Sequence, residues 1–313
     1  MSHIGPISPI SLNTAVEVNS SAEALLPLGV KARLSAYVEL TKPRITFLIM
    51  LTSAAGFCLG SRGAVDYVLF AHAMIGIGLL SSGIATLNQF IERDLDGLMR
   101  RTADRPLPSR RLVPDEALWL GVLLTASAEM YLALFVNGLS AILGLTVIAG
   151  YLFLYTPLKT RTTLSTAVGA FPGAMPPLIG WTAARGEIDV AAWVLFAILF
   201  LWQFPHFLAI ALMYREDYLR AGYRMLPEFD LDSRFTRGEI VAFTLALMLT
   251  TLLPAVSHSS AVYFGPLVLA DGFFLYYVLR LAAAGSKLAA SRVLHASVVY
   301  LPIVLVVMAL GKR

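Results

Sequence analysis

Asn88, Glu92 and Asp96 follow one another at four-residue intervals, so on a helix they share one face. Two carboxylates and an amide oxygen are hard donors of the kind that hold Mg²⁺ together with water and phosphate oxygens. Arg93, Arg100, Arg101 and Arg105 lie within or just beyond the same stretch and can neutralise a diphosphate. Acids for a metal beside bases for phosphate, at the end of an apolar run, suggest a lipid diphosphate. The plainer reading is a solvated helix end laced by i,i+4 charge pairs. Asn88 and Glu92 weigh against it, because they fall at the edge of an apolar span, where unpaired polar groups are costly.

A second group is Trp202, Gln203 and His206, followed by Glu216 and Asp217. His206 is placed seven residues inside its apolar run, about 10 Å along a helix. An intramembrane His beside a Gln and a Pro faces a cavity, or else makes an ordinary interhelical hydrogen bond. Tyr155, Lys159 and Arg161 form a short basic segment on the same side as the first group. It reads as a second diphosphate clamp, as a topological anchor, or as both. The Gly and Pro residues of Phe171–Pro177 interrupt another apolar run, which again argues for a cavity. Glu129 and Asp271 are intramembrane acids without an evident partner, and His72 and His295 read as packing or hydrogen-bonding residues.

These residues need elements to hold them, and the composition says what kind. The 313 residues are 58% hydrophobic and 14% charged, against about 25% charged in a soluble domain. The chain is therefore an all-α membrane protein, since no alternating barrel pattern occurs and helices satisfy their own backbone in lipid. Nine spans are predicted near 45–60, 66–90, 116–135, 139–155, 164–183, 190–213, 240–257, 261–280 and 293–310. With the N-terminus in the cytoplasm, 20 of the 24 Lys and Arg residues fall on the cytoplasmic side, as the positive-inside rule requires. Arg62, Arg185, Lys312 and Arg313 fall outside it. The surplus of charge thus has a topological reading and gives no indication of nucleic acid. A single cysteine, Cys58, excludes internal disulfides and CxxC chemistry. The polar loops 91–115 and 214–239 sit four spans apart, which suggests two four-helix halves plus one helix. Residues 1–35 lack the basic start of a signal peptide and are expected to form a flexible cytoplasmic tail, with 36–313 as the polytopic domain.

Taken in order, several strings resemble one family. They are Leu40–Arg44, Asn88-xxx-Glu92-xxx-Asp96, Met99-x-Arg101-Thr102-xx-Arg105-Pro106, Tyr155-Thr-xx-Lys159, Gly169–Trp181, Trp202-Gln-xx-His206-Phe and Asp217-Tyr-xx-Ala-Gly-xx-Met225-Leu-Pro227. Together they resemble the protohaem IX farnesyltransferases (haem O synthases), a branch of the UbiA-type intramembrane prenyltransferases, over roughly 35–310. The acidic motif alone is common to the wider superfamily, whereas the Gly169–Trp181 and Trp202–Phe207 strings are specific to the haem branch.

The resemblance implies nine helices around a central cavity, Mg²⁺ as cofactor, and farnesyl diphosphate and haem B as substrates. By position, Asn88, Glu92 and Asp96 would be the first acidic motif, and Arg101, Arg105 and Lys159 would bind diphosphate. The second motif departs from the Asp-rich form of other UbiA enzymes: His206 stands there, followed by Glu216 and Asp217. Whether those two acids hold a second Mg²⁺ is left open, as is the choice for His206 between orienting haem, ligating iron and positioning water. A bacterial inner-membrane location follows from the resemblance, and haem A synthase or oxidase assembly factors would be neighbours. The competing readings are a UbiA-type transferase acting on an aromatic quinone precursor, and a non-catalytic haem-handling or transport protein. A transporter would cluster its polar groups near the bilayer centre, whereas here they gather at one face.

Overall fold

The computed structural model describes residues 29–257 and 261–311. Of the expected tail, residues 1–28 lie outside these, as do Lys312 and Arg313. The elements in chain order are α1 Val30–Leu40, α2 Pro43–Gly60, α3 Tyr67–Leu98, α4 Pro114–Phe135 and α5 Gly138–Ile148. A π-helical stretch, Ala149–Tyr155, and the short α6 Thr156–Leu158 follow. The chain continues through α7 Ser165–Arg185, α8 Val190–Met213, α9 Arg215–Arg220, α10 Leu226–Phe229, α11 Arg234–Ser257, α12 Ala261–Ala284 and α13 Lys287–Gly311. Helix α1 begins inside the segment expected as tail.

Local chemistry sets several of the ends. Asp66 accepts from the amides of Val68 and Leu69 and starts α3. Asn137 accepts from Ser140 and starts α5, and Asp189 does the same for α8 through Ala192. These side chains satisfy amides that have no partner within the helix. Gly186, at φ 74°, closes α7 in the left-handed conformation that a side chain would resist.

Eight long apolar rods among the described residues are able to cross a membrane: α2, α3, α4, α5 through α6, α8, α11, α12 and α13. The ninth expected span, 164–183, corresponds to α7. It is long enough to cross but less apolar than the other eight, and its position explains why. From Ala174 to Ala183 every residue of α7 is buried, so this stretch meets protein on all sides and can spend its sequence on Pro172, Pro176, Pro177 and glycines. Helix α2 lies against it at very short range. Gly56 faces the Pro177 carbonyl, Gly180 faces the Ser53 carbonyl, and Gly60 abuts Trp181. A methyl group at Gly56 or Gly180 would overlap backbone. Close approach through small residues is the usual means of association in lipid, where the hydrophobic effect between helices is absent.

Around this pair, α3 packs on α4, α5 on α4 and α7, α8 on α7, α11 and α13, and α12 between α11 and α13. Contact of α13 with α2 closes the circuit. The tight α2–α7 pair joins the helices before the second polar loop to each other across the bundle, so the packing does not by itself divide the rods into two four-helix halves.

Candidate functional site

The four-residue row lies on the last turns of α3, and all three members are buried. Each faces a cation from another part of the chain. Lys42 donates to Asn88 Oδ1 at 3.2 Å. Lys159 donates to Glu92 Oε1 at 2.6 Å, with both side chains under 10% exposed. Arg105 donates to Asp96 Oδ2 at 2.6 Å. The loop after α3 is held in place by Thr102, whose hydroxyl donates to the Asp96 carbonyl at 2.8 Å and so brings Arg105 round onto the carboxylate. The row is therefore one amide oxygen and two carboxylates, each met by a cation in a nearly dry setting, where unpaired charge would be expensive.

The π-helical stretch positions Lys159. Tyr151 and Tyr155 meet edge to face at 5.1 Å, and the ammonium of Lys159 stands 4.4 Å from the Tyr155 ring centre. Burial works against this charge, but the Tyr155 and Glu92 groups around it prevail and hold Lys159 well above the usual lysine range. Insertions of this kind in helices recur at functional sites.

Lys42 is the least comfortable of the three cations. Burial, then the neighbouring Arg105, pulls its ammonium down to about 7. Its backbone sits at φ 47°, an unusual conformation for a residue with a long side chain. The Thr41–Lys42 turn between α1 and α2 thus turns this ammonium toward Asn88. Lys42 belongs to the site, and sequence reading assigned it only to the family string and the cytoplasmic charge. Tyr223 is a second addition. It is buried, its hydroxyl lies against Glu92, and burial with the Glu92 charge raises it above the ordinary tyrosine value. The two polar loops singled out in the sequence meet here: Ala221 and Tyr223, with Tyr218 and Met225, pack on Leu95 and Met99 at the end of α3. The Arg224 amide donates to the Lys159 carbonyl at 2.7 Å, which ties the second loop to the end of α6.

Other expected members stand elsewhere. Arg93 lies over the Phe90 ring at 4.8 Å and donates to the Phe90 carbonyl. Its nearest acid is the 85% exposed Asp94. Arg161 is exposed. Arg101 sits over Tyr214 and Tyr218, at 5.2 and 5.8 Å. Glu216 is exposed and pairs with Lys287 at 3.3 Å, and Asp217 pairs with Arg220 at 3.3 Å. No three His, Cys, Asp or Glu side chains among the described residues come together as a metal cage. The donor set fit for Mg²⁺ is the row itself, one amide oxygen and two carboxylates on one face. That is sparse, but Mg²⁺ commonly takes one or two carboxylates and completes its shell with water and substrate phosphate.

The second group is neutral and lies deeper. Gln203 donates to the Ala170 and Leu199 carbonyls at 2.9 and 3.1 Å, and its amide packs on Gly173 of α7. Trp202 and His206 stack at 4.6 Å. Both are hydrogen-bonded to Ser297 of α13.

Among the described residues, eight apolar rods pack with a buried glycine- and proline-rich helix, and an acidic row met by lysine and arginine lies at one end, an intramembrane architecture with a polar site suited to an anionic group. The model of the UbiA prenyltransferase family matches residues 49–301, and the chain belongs to that family. Among its relatives, it is 48% identical over 286 residues to "Protoheme IX farnesyltransferase" of Solibacter usitatus (strain Ellin6076), covering 88% of this chain and 98% of the relative. It is 42% identical over 296 residues to the protein of the same name from Koribacter versatilis (strain Ellin345), covering 91% and 95%. The fold is similar to that of a digeranylgeranylglyceryl phosphate synthase, with TM-score 0.74 at 17% identity over 90% of this chain and 98% of the other. It is also similar to a UbiA homologue from Archaeoglobus fulgidus solved with GPP and Mg²⁺, with TM-score 0.62 at 15% identity over 87% and 99%.

Proposed function

We propose that this chain transfers a farnesyl group from farnesyl diphosphate to a vinyl group of haem B, with addition of water, to give haem O. The diphosphate half of the reading rests on one observation, the buried row in which Lys42, Lys159 and Arg105 face Asn88, Glu92 and Asp96. The porphyrin half rests on family membership and on the names of the relatives.

The chemistry asks the protein for charge rather than for a nucleophile. The C1–O bond of the prenyl diphosphate breaks, C1 becomes cationic and the diphosphate leaves with the electron pair. A vinyl carbon of haem B forms the new bond to C1. Water then takes the cation left beside the porphyrin ring and loses a proton, giving a hydroxyethylfarnesyl group. Lys159, Arg105 and Lys42 stabilise the departing diphosphate, because fixed cations in a dry site need no reorganisation as charge develops. Asn88, Glu92 and Asp96 would hold Mg²⁺, which when bound adds Lewis-acid neutralisation of the diphosphate. In the resting protein the same three side chains keep the three cations in register. Tyr155 and Tyr223 shield the ion pairs from water.

The proposed location is a bacterial inner membrane, and the distribution of basic side chains supports an N-terminus in the cytoplasm with the diphosphate at the cytoplasmic mouth. Haem A synthase or oxidase assembly factors are the proposed recipients of the product. Expression of the chain in cells that make farnesyl diphosphate, followed by pigment extraction, tests the reading. Haem O should accumulate, and Asp96→Ala should abolish it. A prenylated hydroxybenzoate or naphthoate in its place would assign the chain to quinone chemistry.

A further inference from the structure

Ser297 lies fully buried near the middle of α13 and makes three hydrogen bonds. Its carbonyl accepts the indole N–H of Trp202 at 2.8 Å. Its hydroxyl donates to the Leu294 carbonyl at 2.7 Å and lies 2.8 Å from His206 Nδ1. A hydroxyl has a single proton, and here it goes to Leu294. This pattern of partners assigns the N–H of His206 to Nδ1, donated to the Ser297 oxygen. The opposite nitrogen, Nε2, is left with its lone pair. It has no hydrogen-bond partner among the described residues, and it is not one of the enclosed polar atoms that lack one, so it borders accessible space. Trp202, one turn earlier on α8, stacks on the ring and fixes its plane. Ser297 thus orients both members of the stacked pair, and Gln203 anchors that turn of α8 to α7.

We infer that Ser297 is a positioning residue that sets His206 in the Nδ1–H tautomer, so that Nε2 serves as an axial ligand to the iron of the incoming metalloporphyrin. A second-shell acceptor on one ring nitrogen is the usual means of orienting and strengthening a histidine ligand on the other. The inference rests on the proposed function, because it takes haem B as the porphyrin. It adds the atom that holds the iron and the residue that prepares this atom. A ring held by its metal through α8 would carry its vinyl groups at a fixed height in the bundle, whatever the prenyl chain does.

The test is a titration of ferric haem B into the full chain in detergent or nanodiscs, read by Soret and EPR spectra. Wild type should show an axial-imidazole signature. His206→Ala should lose that signature, and added imidazole should restore it. Ser297→Ala should weaken haem binding by about 10–100-fold, the range for loss of such a partner. Ser297→Thr retains a hydroxyl and should stay within about threefold of wild type. Trp202 keeps its bond to the Ser297 carbonyl in both variants, so a difference between them reports on the hydroxyl alone. An unchanged signature in His206→Ala, or equal affinities for the Ala and Thr variants, overturns the inference while haem O formation leaves the proposed function standing. A folded wild-type chain that binds no haem overturns both.

Discussion

The end of α3 and the middle of α8 are both polar interruptions of apolar helices, yet they meet the cost of burial in opposite ways. At the end of α3 two of the groups, Glu92 and Asp96, are acids, and the third, Asn88, meets an ammonium. Each finds an oppositely charged or donating partner brought from a distant segment: Lys42 from the α1–α2 turn, Arg105 from the following loop and Lys159 from beyond the π-helical stretch. On α8 the groups are neutral, and they are satisfied by the Ala170 carbonyl of α7, by the Leu199 carbonyl of α8 itself and by Ser297. Asp271 on α12 is likewise met by hydroxyls rather than by a cation: Tyr300 donates to it at 2.7 Å and Thr251 at 3.2 Å. Ionic pairs at the mouth are suited to exchange partners with a charged substrate. Neutral hydrogen bonds in the interior are suited to hold a surface still. In the proposed reaction the two regions divide the two substrates between them, diphosphate at the first and porphyrin at the second.

The largest effect that this contrast predicts is at Lys159. Lys159→Ala removes a fixed donor and should lower turnover by about 10²–10³-fold in a haem O assay. It also leaves Glu92 buried without its partner, at a cost of about 3–5 kcal/mol, visible as a lower unfolding temperature. A variant as active as wild type would dissolve the distinction between the two regions. Next in size is a pH effect at Lys42. Its value of about 7 lies far below the usual lysine range, so the free protein loses this charge as pH rises past neutrality, and a bound diphosphate favours the charged form. The KM for farnesyl diphosphate should therefore rise between pH 6.5 and 8.5, by up to about tenfold for one charge. Lys42→Arg, charged throughout, should flatten that rise relative to wild type, with any remainder due to titration of the diphosphate itself.

A smaller change is expected on the neutral side. Gln203→Leu removes donors to two carbonyls and should destabilise the fold by about 1 kcal/mol, with the KM for farnesyl diphosphate unaltered. The smallest effect is at Arg93. Its guanidinium is turned onto Phe90 and away from the row, so Arg93→Ala should leave turnover within about twofold, as for a surface charge. A large loss there would mean that the cationic set extends round the helix.

Much of this arrangement was legible in the sequence. The apolar runs predict the rods, and the period of four puts Asn88, Glu92 and Asp96 on one face. The charge pattern picks out the two loops that meet at the end of α3. What was not legible is of two kinds. Proximity in sequence groups Arg93 with the row, whereas on the helix the residue next to Glu92 points about 100° away from it and Arg93 lies on Phe90. Contacts across the fold were invisible for lack of any local pattern. Lys42 reaches a residue 46 positions later, Tyr223 lies in an irregular loop, and Ser297 looks like any small residue in a membrane helix. Helix α7 shows a related limit. It was expected as a span, but its hydropathy reflects contact with protein rather than lipid.

The most direct test of the central claim uses the purified full chain with haem B, farnesyl diphosphate and Mg²⁺, with products separated by chromatography and identified by mass. The account predicts haem O, formed only while diphosphate substrate and Mg²⁺ are both present, and lost in Asp96→Ala. Haem B recovered unchanged from a folded, haem-binding wild-type protein supplied with both would contradict it.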